Sequence, residues 1–513
     1  MIDTAALREK VLDLAIRGKL VPQNPTDEPA SVLLERIHEQ KLQMVREGKL
    51  KAKDVKDDTI IFKGDDNCYY EKFSDGTIKN IQDEIPFDLP YGWSWCRLKC
   101  ICPYGECDNV ECSEIKNDDW ILDLEDIEKD SGKILAFAKK SDKNSISTKH
   151  KFYQGQLLYS KLRPYLNKVV IAPKAGYCTS EILPLLFWGD IDVHYMQMYL
   201  MSNVFLSYTD KISYGVKMPR LGTADGKQAL IALPPNNEQK LIAKTFQDIL
   251  PALETIKTEQ CALEDIINLL KSKVLELAIQ GKLVPQDEND EPAGVLLERI
   301  RAERKAKLGK KYVESYIFKG DDNCYYEKIC KNEPVLLENL PFDIPDSWCW
   351  ARLGDIGDWG AGATPPRGNL EYYGGNIPWV KTGELNDDYI FLSVETVSSK
   401  ALQECSLRYN KIGDILIAMY GATIGKLGIA GVKLTTNQAC CACTPYEGVY
   451  NIYLFYYLKE EKDRFTKLGT GGAQPNISRE KIINYLIPIP PYNEQLRICE
   501  QVKNIFNTMK GEN

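Results

Sequence analysis

Apolar residues recur at Ile242, Phe246, Ile249, Leu253, Ile256, Leu263, Ile267, Leu270, Val274 and Leu277. The steps alternate four and three, with Gln260 as the polar break. Such a heptad run predicts a long helix whose apolar seam faces a partner helix. Pro251 lies inside it and should kink or break it, because proline lacks the N–H that closes a helical turn. Two helices packed end to end are the alternative. Gly281 and Pro285 mark the far end. The partner is divided between the termini: Ile498, Val502, Ile505 and Met509 repeat the first part of the seam, and Leu7, Val11 and Leu14 repeat the later part. The termini are therefore expected to lie close together and to copy the central helix jointly, in an antiparallel pairing with an approximate two-fold axis.

The duplication extends over the chain. KVLDLAIRGKLVPQ from Lys10 returns as KVLELAIQGKLVPQ from Lys273, and KGDDNCYYEK occurs at Lys63 and at Lys319. IPFDLPYGWSW from Ile85 is answered by LPFDIPDSWCW from Leu340, and LPPNNEQKLI from Leu233 by IPPYNEQLRI from Ile489. Repeats of this length point to two copies of one structural unit. After each GKLVPQ a second helix is expected, opening on acid and proline at Asp27 and Asp290 and ending in lysines. KGDDNCYYEK follows in a polar connection and reads equally as a docking element or a packed linker. The boundaries that result are 1–55 (helical), 56–92 (linker), 93–234 (first variable domain), 235–311 (central helices), 312–347 (linker), 348–490 (second variable domain) and 491–513 (helix).

The two variable middles differ in sequence but share a skeleton. GQLLYSKLRPYLNKVVIA from Gly155 matches GDILIAMYGATIGKLGIA from Gly413, and YGVKMPRLG from Tyr214 matches TGGAQPNIS from Thr470. Short β-like runs bounded by Gly and Pro alternate with a few helical stretches. The fold class is therefore mixed α/β: two similar globular domains separated by long helices.

With 513 residues, 44% of them hydrophobic, the chain can bury several cores. No apolar run reaches the roughly 20 residues of a membrane helix, and no signal pattern opens the chain, so a cytoplasmic protein with reduced thiols is expected. Five of the sixteen cysteines fall between Cys96 and Cys112. They lack paired CxxC steps and a nearby histidine, which favours structural thiols over zinc, and Cys440, Cys441 and Cys443 read the same way. Net charge is −8, yet residues 133–174 carry nine lysines and Arg163 against Asp142 alone. Interleaved tyrosines, Asn167 and Ser160 suit phosphate contact and base-edge hydrogen bonding, while a solvated surface is the plainer alternative.

Catalytic-looking fragments fail. Gly421, Gly425 and Lys426 suggest a phosphate loop, but the spacing is one short and Leu427 stands where Ser or Thr must hold magnesium. Trp359-Gly360-Ala361-Gly362 is a weak glycine pair, better read as a turn before Thr364-Pro365. Pro490-Pro491-Tyr492 lacks the preceding polar residue an amino-methyltransferase needs to hold its target amine. Both proline pairs read as helix starts, with Glu238 and Glu494 in the first turn. His38, His150 and His194 are scattered, so no catalytic residue and no metal site is assigned.

The LREKVLDLAIRGKLVPQ start, the two PPxNEQ motifs, the central seam, GATPPRGNLEYYGGNIPWVKTGEL from Gly362 and LLYSKLRPYLNKVVIAP from Leu157 together resemble the specificity subunits of Type I restriction–modification systems. The resemblance covers essentially the whole chain. It implies a non-catalytic subunit with two target-recognition domains, each reading one half of a split duplex-DNA sequence, on helices that set the spacing. It also implies two methylation subunits and restriction (nuclease–translocase) subunits as partners, with S-adenosylmethionine, ATP and magnesium on those partners and no cofactor on this chain. Candidate DNA contacts are Ser160, Lys161, Arg163, Tyr165, Asn167, Lys168, Lys217 and Arg220 in the first domain. In the second they are Thr364, Arg367, Lys381, Thr382, Tyr420, Thr423, Lys426, Asn437, Gln438 and Gln474. A self-contained DNA methyltransferase and a helical scaffold without DNA contact are the alternatives.

Overall fold

The computed structural model describes residues 2–143, 146–215, 217–469 and 476–511. The chain forms two compact units, Met1–Cys261 and Ala262–Asn513. A single helix, Asn236–Ile279, gives its first part to one unit and its last part to the other.

In the first unit the helix Thr4–Ile16 starts at Asp3, whose carboxylate accepts from the N–H groups of Ala5 and Ala6 at 3.1 and 2.9 Å. It runs antiparallel to the central helix. At one end Gln23 donates to Glu238. At the other the Gln260 amide, turned to satisfy both groups, meets the backbone N–H and carbonyl of Ile2 at 2.7 and 3.1 Å. The second unit repeats the arrangement with the C-terminal helix Tyr492–Lys510: Gln286 donates to Glu494 at 2.6 Å, and the Lys271 ammonium lies 5.9 Å from the Phe506 ring centre.

Of the kink or break expected from its missing N–H, Pro251 does not cause the break: the helix runs on through it. Only the carbonyl of Gln247 loses its partner. Both residues are exposed, so water can satisfy that carbonyl. The seam is best buried in its first part, open around Leu263 and Leu270, and half-buried at its far end. Ile242, Phe246 and Leu253 are buried; Ile249, Ile256, Ile267, Val274 and Leu277 are half-buried; Leu263 and Leu270 stay 53% and 47% exposed. The reason is the split partner. Gln260 meets Ile2, just before the helix Thr4–Ile16, and Lys271 lies against Phe506, near the end of the helix Tyr492–Lys510, so the exposed positions fall where the partner helices stop.

The repeated motifs meet at one buried junction per unit. Trp93 Nε1 donates to Glu238 at 3.0 Å, and Trp348 Nε1 to Glu494 at 3.0 Å. Gln239 donates to the Pro234 carbonyl and accepts from the Asp192 N–H; Gln495 does the same with Pro490 and Tyr450. Asn237 reaches Asp27, and Asn493 reaches Asp290. Each letter of NEQ thus has a partner in the same place twice. Gly18 and Gly281 take φ of +64° and +69°, and a Cβ on either would sit 2.5 Å from the ring of Pro90 or Pro345. That close approach explains the glycine of GKLVPQ. Beneath the junction, Ser94–Arg97 pairs antiparallel with Leu230–Leu233, and Cys349–Arg352 with Leu486–Ile489.

Residues 56–92 and 312–347, read as connections, each hold a three-stranded antiparallel meander: Ile60–Lys63, Tyr69–Lys72, Ile78–Asn80 and Ser315–Lys319, Tyr325–Ile329, Val335–Leu336. KGDDNCYYEK is the hairpin turn. Gly64 N–H donates to the Cys68 carbonyl at 2.9 Å and Gly320 N–H to Cys324 at 2.8 Å, with Asn67 and Asn323 both at φ +63°. The turn is followed by a packed strand, because Glu71 forms a buried pair with Arg97 at 2.6 Å and Glu327 pairs with Arg352 at 2.7 Å.

The middles are β-rich and mixed in direction. The first holds a three-stranded sheet ordered Ile182–Leu185, Leu157–Ser160, Val169–Ile171, beside a four-stranded sheet. The second holds a five-stranded sheet ordered Gly357–Ala361, Cys440–Pro445, Ile415–Ala418, Leu427–Ala430, Tyr389–Ile390, beside a three-stranded one. Trp359-Gly360-Ala361 is therefore strand, not turn. Gly360 makes room for the Arg408 side chain and Gly362 for the Thr436 carbonyl. Cys440, Cys441 and Cys443 are buried strand residues, and burial pushes the Cys441 thiol up to about 12. Cys96, Cys100, Cys102 and Cys112 are buried and Cys107 half-buried. Among the described residues no group of His, Cys, Asp and Glu is placed to hold a metal, and no helix is long and apolar enough to cross a membrane.

Candidate nucleic-acid interface

In the second unit the sheet ladder ends at the Ala418–Cys440 pair. Beyond it, Met419 N–H donates to the Ala439 carbonyl, Gly362 to Cys440, Ala363 to Thr436 and Asn437 to Val380, at 2.8 to 3.1 Å. These bonds gather four loops, 362–369, 381–384, 419–426 and 436–439, at one end of the sheet. Every described candidate of the second domain lies on them. The Thr364 hydroxyl donates to the Gln438 side-chain carbonyl. Arg367 and Lys381 share the Glu395 carboxylate, Arg367 at 2.7 Å. Thr382 opens a single 3-10 turn. Tyr420 is exposed, and Thr423 donates back to its carbonyl at 2.8 Å. Asn437 keeps a buried side-chain oxygen without a partner in the unit. Gln474 lies outside the described residues.

The apparent phosphate loop is a tight return between antiparallel neighbours. Lys426 N–H donates to the Thr423 carbonyl, and the chain continues as the strand Leu427–Ala430. A phosphate loop must instead lead into a helix whose N-terminus faces the anion.

The first unit builds the same end with other residues. Leu157–Ser160 ends beside Ile182, and Lys161 N–H donates to the Glu181 carbonyl. Arg163 N–H donates to Pro219 O at 2.7 Å, and Leu162 bridges Arg220. Loops 160–168 and 214–220 are thus joined. Arg163 and Asn167 adopt left-handed φ of 51° and 50°, bracketing the turn Pro164–Leu166. Ser160 donates to the Leu162 carbonyl and Asn167 to the Met201 carbonyl. The Lys168 ammonium is bound to the Leu124 carbonyl at 2.5 Å, and burial holds its pKa below the ordinary value. Arg220 forks onto Glu181 at 3.0 to 3.3 Å. Lys217 and Tyr165 are exposed and Lys161 half-buried. Four of the eight side chains, Ser160, Asn167, Lys168 and Arg220, are therefore committed within the protein.

The basic run 133–174 is not a free positive stripe. Lys133 pairs with Glu254, Lys139 with Asp118, Lys143 with Asp123, Glu125 and Asp126, and Lys149 is buried near Asp123. The acidic segment that precedes the run folds against it and cancels much of its charge locally. The partners Glu181 and Glu395, and the rings of Trp379 and Tyr373 beside Arg367, were missed in the sequence. A search for cations and amides passes over the acid that holds them. His150 is buried on the Ile182 carbonyl, and the His38 ring meets Asp58 at 3.2 Å.

Comparison with known proteins gives one consistent result. Residues 345–513 match the family model described as a Type I restriction modification DNA specificity domain. The Type I restriction enzyme EcoEI specificity subunit of Escherichia coli is 25% identical, over 98% of this chain and 88% of its own length. The EcoAI specificity subunit of Escherichia coli is 26% identical over 68% of this chain and 62% of its own. Among solved structures, a chain from a type I R-M system superposes with a TM-score of 0.56 at 17% identity, covering 83% of this chain and 93% of that one.

Proposed function

The chain belongs to the specificity subunits of Type I restriction–modification systems, and from that premise we propose that each unit reads one half of a bipartite duplex-DNA site with the loops at the end of its sheet. The observation that carries this is the duplicated frame with divergent ends: the same junction is built twice, and the loops it presents differ in sequence. Two similar readers on a repeated frame contact two half-sites of fixed spacing, and unlike loops read unlike half-sites. The variable domains span 93–234 and 348–490. The central helix sets the spacer, and the helices of the frame receive two methylation subunits, to which restriction subunits are added. S-adenosylmethionine, ATP and magnesium act on those partners, in the cytoplasm. The self-contained methyltransferase is set aside: Pro490 and Pro491 start a helix behind the buried strand residue Ile489, which offers no group to hold a target amine.

A salt titration of duplex binding by the full chain separates the DNA reader from a bare scaffold. Replacing Lys161 and Lys217 by Ala is expected to weaken binding and to lower the slope of log affinity on log salt by up to about one unit per lost phosphate contact. Binding with no salt dependence in the parent chain contradicts the reading.

A further inference from the structure

We infer that Arg367 reads a guanine in one half-site, held for that task by Glu395 and by the faces of Trp379 and Tyr373; this rests on the proposed reading of DNA by the sheet-end loops. An arginine that only neutralises a phosphate needs no fixed orientation, since charge suffices. Arg367 is fixed from two sides. Its Nη1 donates to Glu395 Oε2 at 2.7 Å, and its guanidinium lies 4.8 Å from the Tyr373 ring centre and 5.0 Å from that of Trp379.

Each holder is itself held. Trp379 is buried, its Nε1 donates to the Ala363 carbonyl at 3.0 Å, and its ring meets Tyr373 edge to face at 6.1 Å. Tyr373 OH donates to the Pro365 carbonyl, two residues before Arg367. The Glu395 backbone carbonyl accepts from the Trp379 N–H at 3.0 Å, and its carboxylate also takes the Lys381 ammonium. Those two cations keep Glu395 ionised below the usual carboxylate range.

The carboxylate argues against a simple phosphate contact, because it cancels positive charge and repels an approaching phosphate. It suits a base-edge contact instead. Arg367 gives one N–H to Glu395 yet remains 55% exposed, so donors of its fork stay open to a further partner. A planar fork with two parallel donors matches O6 and N7 of guanine in the major groove, which lysine cannot reproduce. Glu395, Trp379 and Tyr373 are positioning residues.

The test is selection of bound sequences from a randomised duplex library by the full chain assembled with its methylation subunits. Arg367→Ala and Arg367→Lys are both expected to erase a guanine preference at one position of one half-site, by roughly ten- to a hundred-fold. The other half-site should stay unchanged, and Arg367→Lys should keep the parent salt slope. Glu395→Gln should reduce discrimination at the same position while tightening binding to non-cognate duplex, an increase that a purely structural role would not produce. If Arg367→Ala weakens all sequences equally and Arg367→Lys restores them, Arg367 is a phosphate contact and the inference is overturned while the reading of DNA stands. An unchanged half-site in all three variants also overturns it. A parent complex that selects no sequence overturns the reading itself.

Discussion

At the frame, Trp93 and Gln23 converge on Glu238, and Trp348 and Gln286 converge on Glu494, with the same donors and the same acceptor. At the sheet ends the two units share backbone and little else. The first clamps Arg220 on Glu181, whereas the second sets Arg367 and Lys381 on Glu395 over a tryptophan and a tyrosine. The frame tolerates little drift, because its polar groups are buried and each needs its hydrogen-bond partner. Loops that meet different bases are free to diverge so long as the strands beneath them hold.

The largest expected effect lies in the frame and falls equally on both copies. Trp93→Ala and Trp348→Ala each remove a large buried ring and leave a buried carboxyl with only its glutamine donor. Each should cost about 3–5 kcal/mol of stability in its own unit. Denaturant titration of the two variants checks this, and a large cost in one unit with none in the other would break the equivalence. A smaller effect is expected from length. One heptad inserted after Glu259 keeps the seven-residue period and adds about 10 Å of helix. That should lengthen the recognised spacer by roughly three base pairs at about 3.4 Å each, whereas a four-residue insertion shifts the phase and should damage assembly. Methylated sites mapped with the original spacer would remove the helix from its role as a ruler.

The smallest effect is a pH slope shared by the junctions. Burial raises the pKa of both Glu238 and Glu494, against the lowering pull of their tryptophan donors. A carboxyl raised in the folded state favours its protonated form. Its contribution to stability is present below the unfolded value of about 4.3 and is lost as pH rises through the folded value. The parent Tm should therefore fall from acid toward neutral pH relative to a Glu238→Gln, Glu494→Gln double variant. Parallel curves would show that the two carboxyls do not couple to folding.

Much of this frame was legible because its signals are local or repeated. The 4–3 spacing marked the central helix, and the duplicated PPxNEQ and GKLVPQ motifs marked the junction. What the spacing could not show was where the partner helices stop, so Leu263 and Leu270 read as seam although both are exposed. Pro251 read as a kink or a break because its cost was judged without knowing that Gln247 faces water. The basic run read as a binding stripe because its acids, such as Asp118 opposite Lys139, are 21 residues away and their pairing is made by the fold. Glu395 stands 28 residues from Arg367 in a loop without period, and the clamp it forms has no sequence signature.

If one frame carries two independent readers, either reader can be exchanged alone. Replacing residues 95–233 with the corresponding domain of another family member, and mapping methylated sites of the reconstituted complex by sequencing, tests it most directly. One half-site is expected to change to the donor's while the other half-site and the spacer stay as they were. A change in both half-sites, or in neither, would contradict it.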